Sequence, residues 1–189
     1  QQSISKLSGF SFELDDLEKY KQALPTITEI QELLSLDGVP EIWCSLLKTD
    51  VKIITQQVQQ LKELYLVCPA PDATIAAHDL PTIKQAIVTF EQQQNNLLKS
   101  ISWAFSSDKK VLKQALVKYK LELNEAGVGE LQRRIAIREK AENLMQGINA
   151  SINSNFKIEA FPNHVLQQVS TIEQALQAQK LIKKLHREK

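Results

Sequence analysis

Residues Pro40 to Leu66 read PEIWCSLLKTDVKIITQQVQQLKELYL. Within them Leu47, Val51, Ile54, Val58, Leu61 and Tyr65 recur at alternating spacings of four and three, the repeat of one face of an α-helix. Pro40 suits the first turn, where a missing N–H costs nothing, so the stretch predicts one long helix from Pro40 to about Leu66. Moving outward, Cys68-Pro69-Ala70-Pro71 forces an extended loop, because residues before proline are pushed out of the helical region. Asp79-Leu80-Pro81 closes that loop as a cap with proline just inside the next helix, and Ile83, Ile87, Phe90, Leu97 and Ile101 continue the pattern across a polar middle, Glu91 to Asn96.

The flanks read the same way. Ser106-Ser107-Asp108 breaks that helix and caps another with the stripe Leu112, Leu116, Tyr119 and Leu123. Gly127-Val128-Gly129 is expected to end it, before a helix carrying Leu131, Ile135, Ala141, Leu144, Ile148 and Ile152. Asn153-Ser154-Asn155 marks an exit, Pro162-Asn163 starts the last helix, and Val165, Val169, Ile172, Leu176 and Leu185 form its stripe. Upstream, Asp15 or Asp16 caps a short helix through Leu24, Pro25 ends or kinks it, Thr26 and Glu29 form a capping box, and Gly38 stops the second short helix. The fold expected is all-α, an elongated antiparallel bundle of about six to seven helices, four of them long. Residues 1–13 read as an arm and 14–189 as one helical-bundle domain, and the Gln1-Gln2 start reads as the edge of a piece of a longer protein.

Composition narrows the function classes. Twenty-three lysines and arginines against 22 aspartates and glutamates leave a net charge of +1, so no global field argues for nucleic acid. Cys44 and Cys68 lie far apart without zinc-site spacing, which speaks against a disulfide framework or a structural metal and for a reducing cytoplasm. Apolar runs are too short to span a membrane. The sequence holds no P-loop, dinucleotide fingerprint, H-E-x-x-H, G-x-S-x-G or Glu-x-x-His pair, and no cofactor or metal is expected. The Gln92 to Asn96 cluster reads as a polar helix face, and Lys109-Lys110-Lys113 and Arg133-Arg134-Arg138 as solvated faces diluted by nearby glutamates.

Two sets of residues remain as site candidates. Cys68 with His78 is the minimum nucleophilic pair, a thiolate beside an imidazole; the competing reading is a small buried thiol with Asp79 as a cap. The second set comes from placing the aromatics on an antiparallel bundle. Trp43, Trp103, Phe105, Phe156 and Phe161, with Lys109, Lys110 and Lys157, are then expected at one tip. Rings beside ammonium groups suit a protein hot spot or a probe of an anionic membrane surface; the same rings also suit a plug closing the end of a core.

In its Gln-, Asn-, Lys- and Ile-rich texture the chain resembles secreted effectors of vacuole-dwelling bacteria such as Legionella. With Trp43, the Ser102-Trp103-Ala104-Phe105 stretch and Lys109-Lys110, its central helices are similar to the helical-bundle domains of such effectors that bind phosphatidylinositol 4-phosphate. The resemblance implies a secreted bacterial effector acting in a host cytosol or at a membrane surface. The leading expectation is a non-enzymatic helical module with a protein partner; next is a phosphoinositide-dependent membrane-targeting domain using the tip, and third a Cys/His enzyme.

Overall fold

The computed structural model describes residues 14–67, 76–93, 97–152, 155–159 and 164–187. Among the described residues there is no strand, and the chain is all-α as expected. The described residues form eight α-helices: α1 (Leu14–Leu34), α2 (Val39–Leu46), α3 (Val51–Val67), α4 (Leu80–Gln93), α5 (Leu97–Ala104), α6 (Ser107–Lys118), α7 (Glu125–Ile152) and α8 (Val165–Arg187), with a 3₁₀ turn at Ala77–Asp79.

The helix expected from Pro40 to Leu66 is two, the one expected from Pro81 past Ile101 is given as α4 and α5, and the two short helices expected before Gly38 are one. Asp50 Oδ1 accepts from the backbone N–H of Lys52 at 2.9 Å, an N-cap that starts α3. Thr49 turns its hydroxyl to the carbonyls of Ser45 (2.9 Å) and Ser151 (3.1 Å). The break moves the buried position from Leu47, which is 58 % exposed, to Leu46, which is fully buried.

Two expected stops fail for identifiable reasons. Helix α1 runs through Pro25; Pro25 and Lys21 are both exposed, a position where solvent can satisfy the carbonyl that proline leaves without a donor. Gly127 and Gly129 do not end a helix but open α7. Helix α6 stops earlier, where Lys120 takes a left-handed φ of 57° and the N–H groups of Lys120 and Leu121 return to the carbonyls of Val117 (3.0 Å) and Leu116 (2.9 Å), a Schellman closure. Asn124 then caps α7 by accepting from Gly127 N–H at 2.8 Å. A side chain at Gly127 would start 2.0 Å from the Glu122 carbonyl oxygen, which is why only glycine fits there.

The described residues form two compact units. The first takes residues 14–58, 149–157 and 167–187, with Val39, Ile42, Leu46, Ile54, Ile152, Val169 and Ile172 buried at its centre. Gln179 is also buried there and donates to the Leu46 carbonyl at 3.0 Å. Gly38, at φ 74°, turns the chain into α2, whose first-turn Glu41 accepts from the backbone N–H groups of Asn155 (2.9 Å) and Phe156 (3.3 Å).

The second unit takes residues 59–148 and 158–166. Its principal cluster joins Ile83, Ile87 and Phe90 of α4, Trp103 of α5, Leu112 and Leu116 of α6, and Val128, Leu131 and Ile135 of α7. Each such side chain contributes about 1.5–3 kcal/mol by leaving water. Exposed pairs such as Lys84 with Glu139 contribute under about 1 kcal/mol, so the apolar stripes hold the fold. Arg138, read in the sequence as part of a solvated set, is only 6 % exposed on the buried stripe of α7 and is paired with Glu142 at 2.8 Å.

Candidate functional site

The helices α4 and α6 run antiparallel. Thr89 of α4 donates to Asp108 Oδ2 at 2.8 Å near the start of α6, while Thr82 and Ile83, near the start of α4, face Ala115 and Lys118 across a groove of ≈ 520 Å³. Its floor is apolar: Ile83 and Ala115 are buried and Val111 half-buried. Its rim carries Lys110, Lys113 and Lys118, all exposed and none ion-paired with a described residue. Val117, 64 % exposed, adds an apolar edge.

Several glutamates of the segment that follows are engaged elsewhere. Glu130 accepts from Arg133 (2.7 and 2.9 Å) and Arg134 (2.8 Å), and these two guanidinium groups hold its carboxyl down at about 2. Arg134 also lies over the Tyr119 ring, 5.1 Å from its centre. Glu139 serves Lys84, Glu142 serves Arg138, and Glu122 accepts from Asn124 at 3.1 Å. A chain that is nearly neutral overall therefore carries an uncompensated basic helix face.

The α5–α6 turn adjoins this face. Ser106 Oγ accepts from Lys109 N–H at 3.2 Å, the side-chain cap that starts α6, and donates to the Trp103 carbonyl at 3.0 Å. Phe105 is fixed between these bonds, with its own N–H on the Ser102 carbonyl at 3.3 Å. Trp103 anchors α5 inward, 5 % exposed and edge-on to Phe90 at 5.8 Å and 64°. On another side of the same short helix Ile101 is 64 % exposed, and on the turn that follows it Phe105 is 89 % exposed. Lys109 is half-buried and Lys110 exposed one turn further on.

The residues expected at one tip divide between the units. Trp103, Phe105, Lys109 and Lys110 belong to the second unit; Trp43, Phe156 and Lys157 belong to the first. Trp43 is half-buried on α2, with its indole nitrogen enclosed and without a hydrogen-bond partner. Phe156 is half-buried and packs beside Gly38; Lys157 is exposed and its carbonyl accepts from Gln168 at 3.3 Å. Phe161 lies outside the described residues. So does Cys68, while His78 is exposed, with Nε2 3.3 Å from Asp79 Oδ1. Among the described residues no group of three or more His, Cys, Asp or Glu side chains could hold a metal ion, and no helix is long and apolar enough to cross a membrane.

Sequence reasoning missed Ile101 as an exposed residue and Lys113, Lys118 and Val117 as groove residues. A signal was present for one of them: Lys113, like Lys110, has no acid three or four positions away. Comparisons with protein families, with curated proteins and with solved structures give no match.

Proposed function

We propose that this chain is a non-enzymatic helical binding module that engages a protein partner, as the protein-protein interaction domain of a secreted bacterial effector. The observation that carries the reading is the apolar knob of the second unit. Phe105 stands 89 % exposed on a turn fixed by Ser106, Ile101 is exposed one turn earlier, and Lys109 and Lys110 follow in the first turn of α6. A large rigid ring held outward beside cations has the makings of an interface anchor, since aromatic residues dominate binding energy once dehydrated.

A photo-crosslinking phenylalanine analogue at position 105 tests this. Discrete protein adducts in host cytosol, competed by unlabelled protein and lost in Ile101→Asp, are the expected result. Adducts equally formed by an analogue at the exposed α1 position Tyr20 would defeat it.

The same knob supports a second reading, a phosphoinositide-dependent membrane contact, with Phe105 and Ile101 entering the interface and Lys109 and Lys110 at the headgroups. Sedimentation with vesicles containing phosphatidylinositol 4-phosphate separates the two. Lipid-dependent pelleting that Phe105→Ala abolishes favours the membrane; no pelleting favours the protein partner.

A further inference from the structure

We infer that the groove between α4 and α6 is the docking site for an acidic amphipathic helix of a partner protein. This inference rests on the reading of the chain as a protein-binding module, but it concerns a surface beyond the Phe105 knob that shares Lys110 with it.

The spacing of the cations selects the occupant. Lys110 and Lys118 are eight residues apart on α6, about 12 Å along the axis at about 1.5 Å per residue, and Lys113 lies between them. Ammonium groups strung over two helical turns cannot all converge on one phosphate or one lipid headgroup. They match a ligand whose negative charges are themselves spread along its length, which a helix with carboxylates on one face provides.

The apolar floor supplies the second criterion. Ile83, Val111 and Ala115 line a trough open along its length, with Val117 exposed at its edge. A purely polar acidic tail would leave this surface in water; leucine-like side chains repeating every three or four residues would cover it. The rim includes one carboxylate, Asp79, which faces His78 at 3.3 Å, so three cations outnumber it and the net complement is acidic.

The test uses a fluorescein-labelled synthetic helix with leucines along one face and glutamates flanking that face on both sides, titrated by anisotropy into the full chain. Saturable binding is expected, weakened about tenfold or more in Lys113→Glu and in Lys118→Glu, as when charge pairs are reversed at an interface, and retained in Phe105→Ser. The sites are exposed, and unchanged circular dichroism of each variant establishes that folding is intact. Equal binding of a peptide with lysines in place of the glutamates, indifference to both lysine variants, or absence of binding would each overturn the proposal. So would competition by inorganic phosphate at concentrations matching the peptide. Loss of binding in Phe105→Ser with retention in Lys113→Glu would overturn the groove while leaving the module reading intact.

Discussion

Gly127 and Gly129 stand two positions apart in the opening of α7, yet their backbones meet different surroundings. A methyl group at Gly127 would collide with the Glu122 carbonyl oxygen at 2.0 Å, whereas one at Gly129 would meet nothing within 4 Å. Gly127→Ala is therefore expected to lower stability by about 1–3 kcal/mol, the cost of forcing backbone to shift. Gly129→Ala should raise it by about 0.5–1 kcal/mol, the helix propensity gained by replacing glycine. Urea denaturation reads both, and opposite signs are the expected outcome. Arg138 offers a related contrast. Its stem lies in the apolar stripe of α7 while its head meets Glu142, so Arg138→Met should stay within about 1 kcal/mol of the native protein. Arg138→Ala should lose about 2–4 kcal/mol through the cavity it leaves. Similar losses in both variants would mean that the charge, and not the packing of the stem, holds this position.

The helix ends set apart what can be read from sequence and what cannot. Ser106 before α6 was legible because capping is local chemistry, a side chain meeting an N–H group three residues on. The interruption between α2 and α3 was not, because Thr49 has its other contact at the Ser151 carbonyl, 102 positions away. Asp50→Ala should cost about 1 kcal/mol by removing the α3 cap, measurable by thermal melting; no change would show that the distant Thr49 contact alone makes the break. In α7 the buried positions run from Val128 to Ile152 through Arg138 and Met145, recurring closer to every 3.5 than every 3.6 residues, so the stripe drifts by about 20° per heptad. Leu144, read as part of the stripe, is half-buried, and Met145 beside it is buried. For the site, Lys110 could be named from sequence, but the groove could not, since its other wall is α4. Element-level electrostatics adds a pH signature. Glu130 is held at about 2 by Arg133 and Arg134, below an ordinary glutamate at about 4.3. A carboxyl depressed in the folded state stabilises above its unfolded value and loses that contribution as pH falls through the folded one. The stability difference between native protein and Glu130→Gln should thus be full at neutral pH, shrink below about pH 4.5 and vanish near pH 2.

At the scale of the whole molecule, the two units give a means of asking where stability resides. Leu46 is fully buried in the first and Leu116 is 1 % exposed in the second. Each Leu→Ala change should remove about 2–5 kcal/mol. Hydrogen exchange should register Leu116→Ala mainly in the amides of α4 and α6, and Leu46→Ala mainly in α2 and α8; uniform acceleration across all helices in both variants would show instead that the chain opens as one unit. Tyr65 supplies an alkaline counterpart to Glu130. Burial, with the Glu142 charge adding to it, raises its pKa, so its contribution is present below the ordinary phenol value of about 10 and fades as pH climbs through the raised one. Ultraviolet titration should find the Tyr65 phenol ionising late, and Tyr65→Phe should remove that contribution. Finally, the rim of Lys110, Lys113 and Lys118 has a kinetic meaning. Exposed charges steer approach over roughly a Debye length, about 8–10 Å in physiological salt, and then surrender much of their pull to water once contact is made. Added salt should therefore slow the arrival of an acidic partner far more than it shortens its stay, leaving residence time to the apolar floor between α4 and α6.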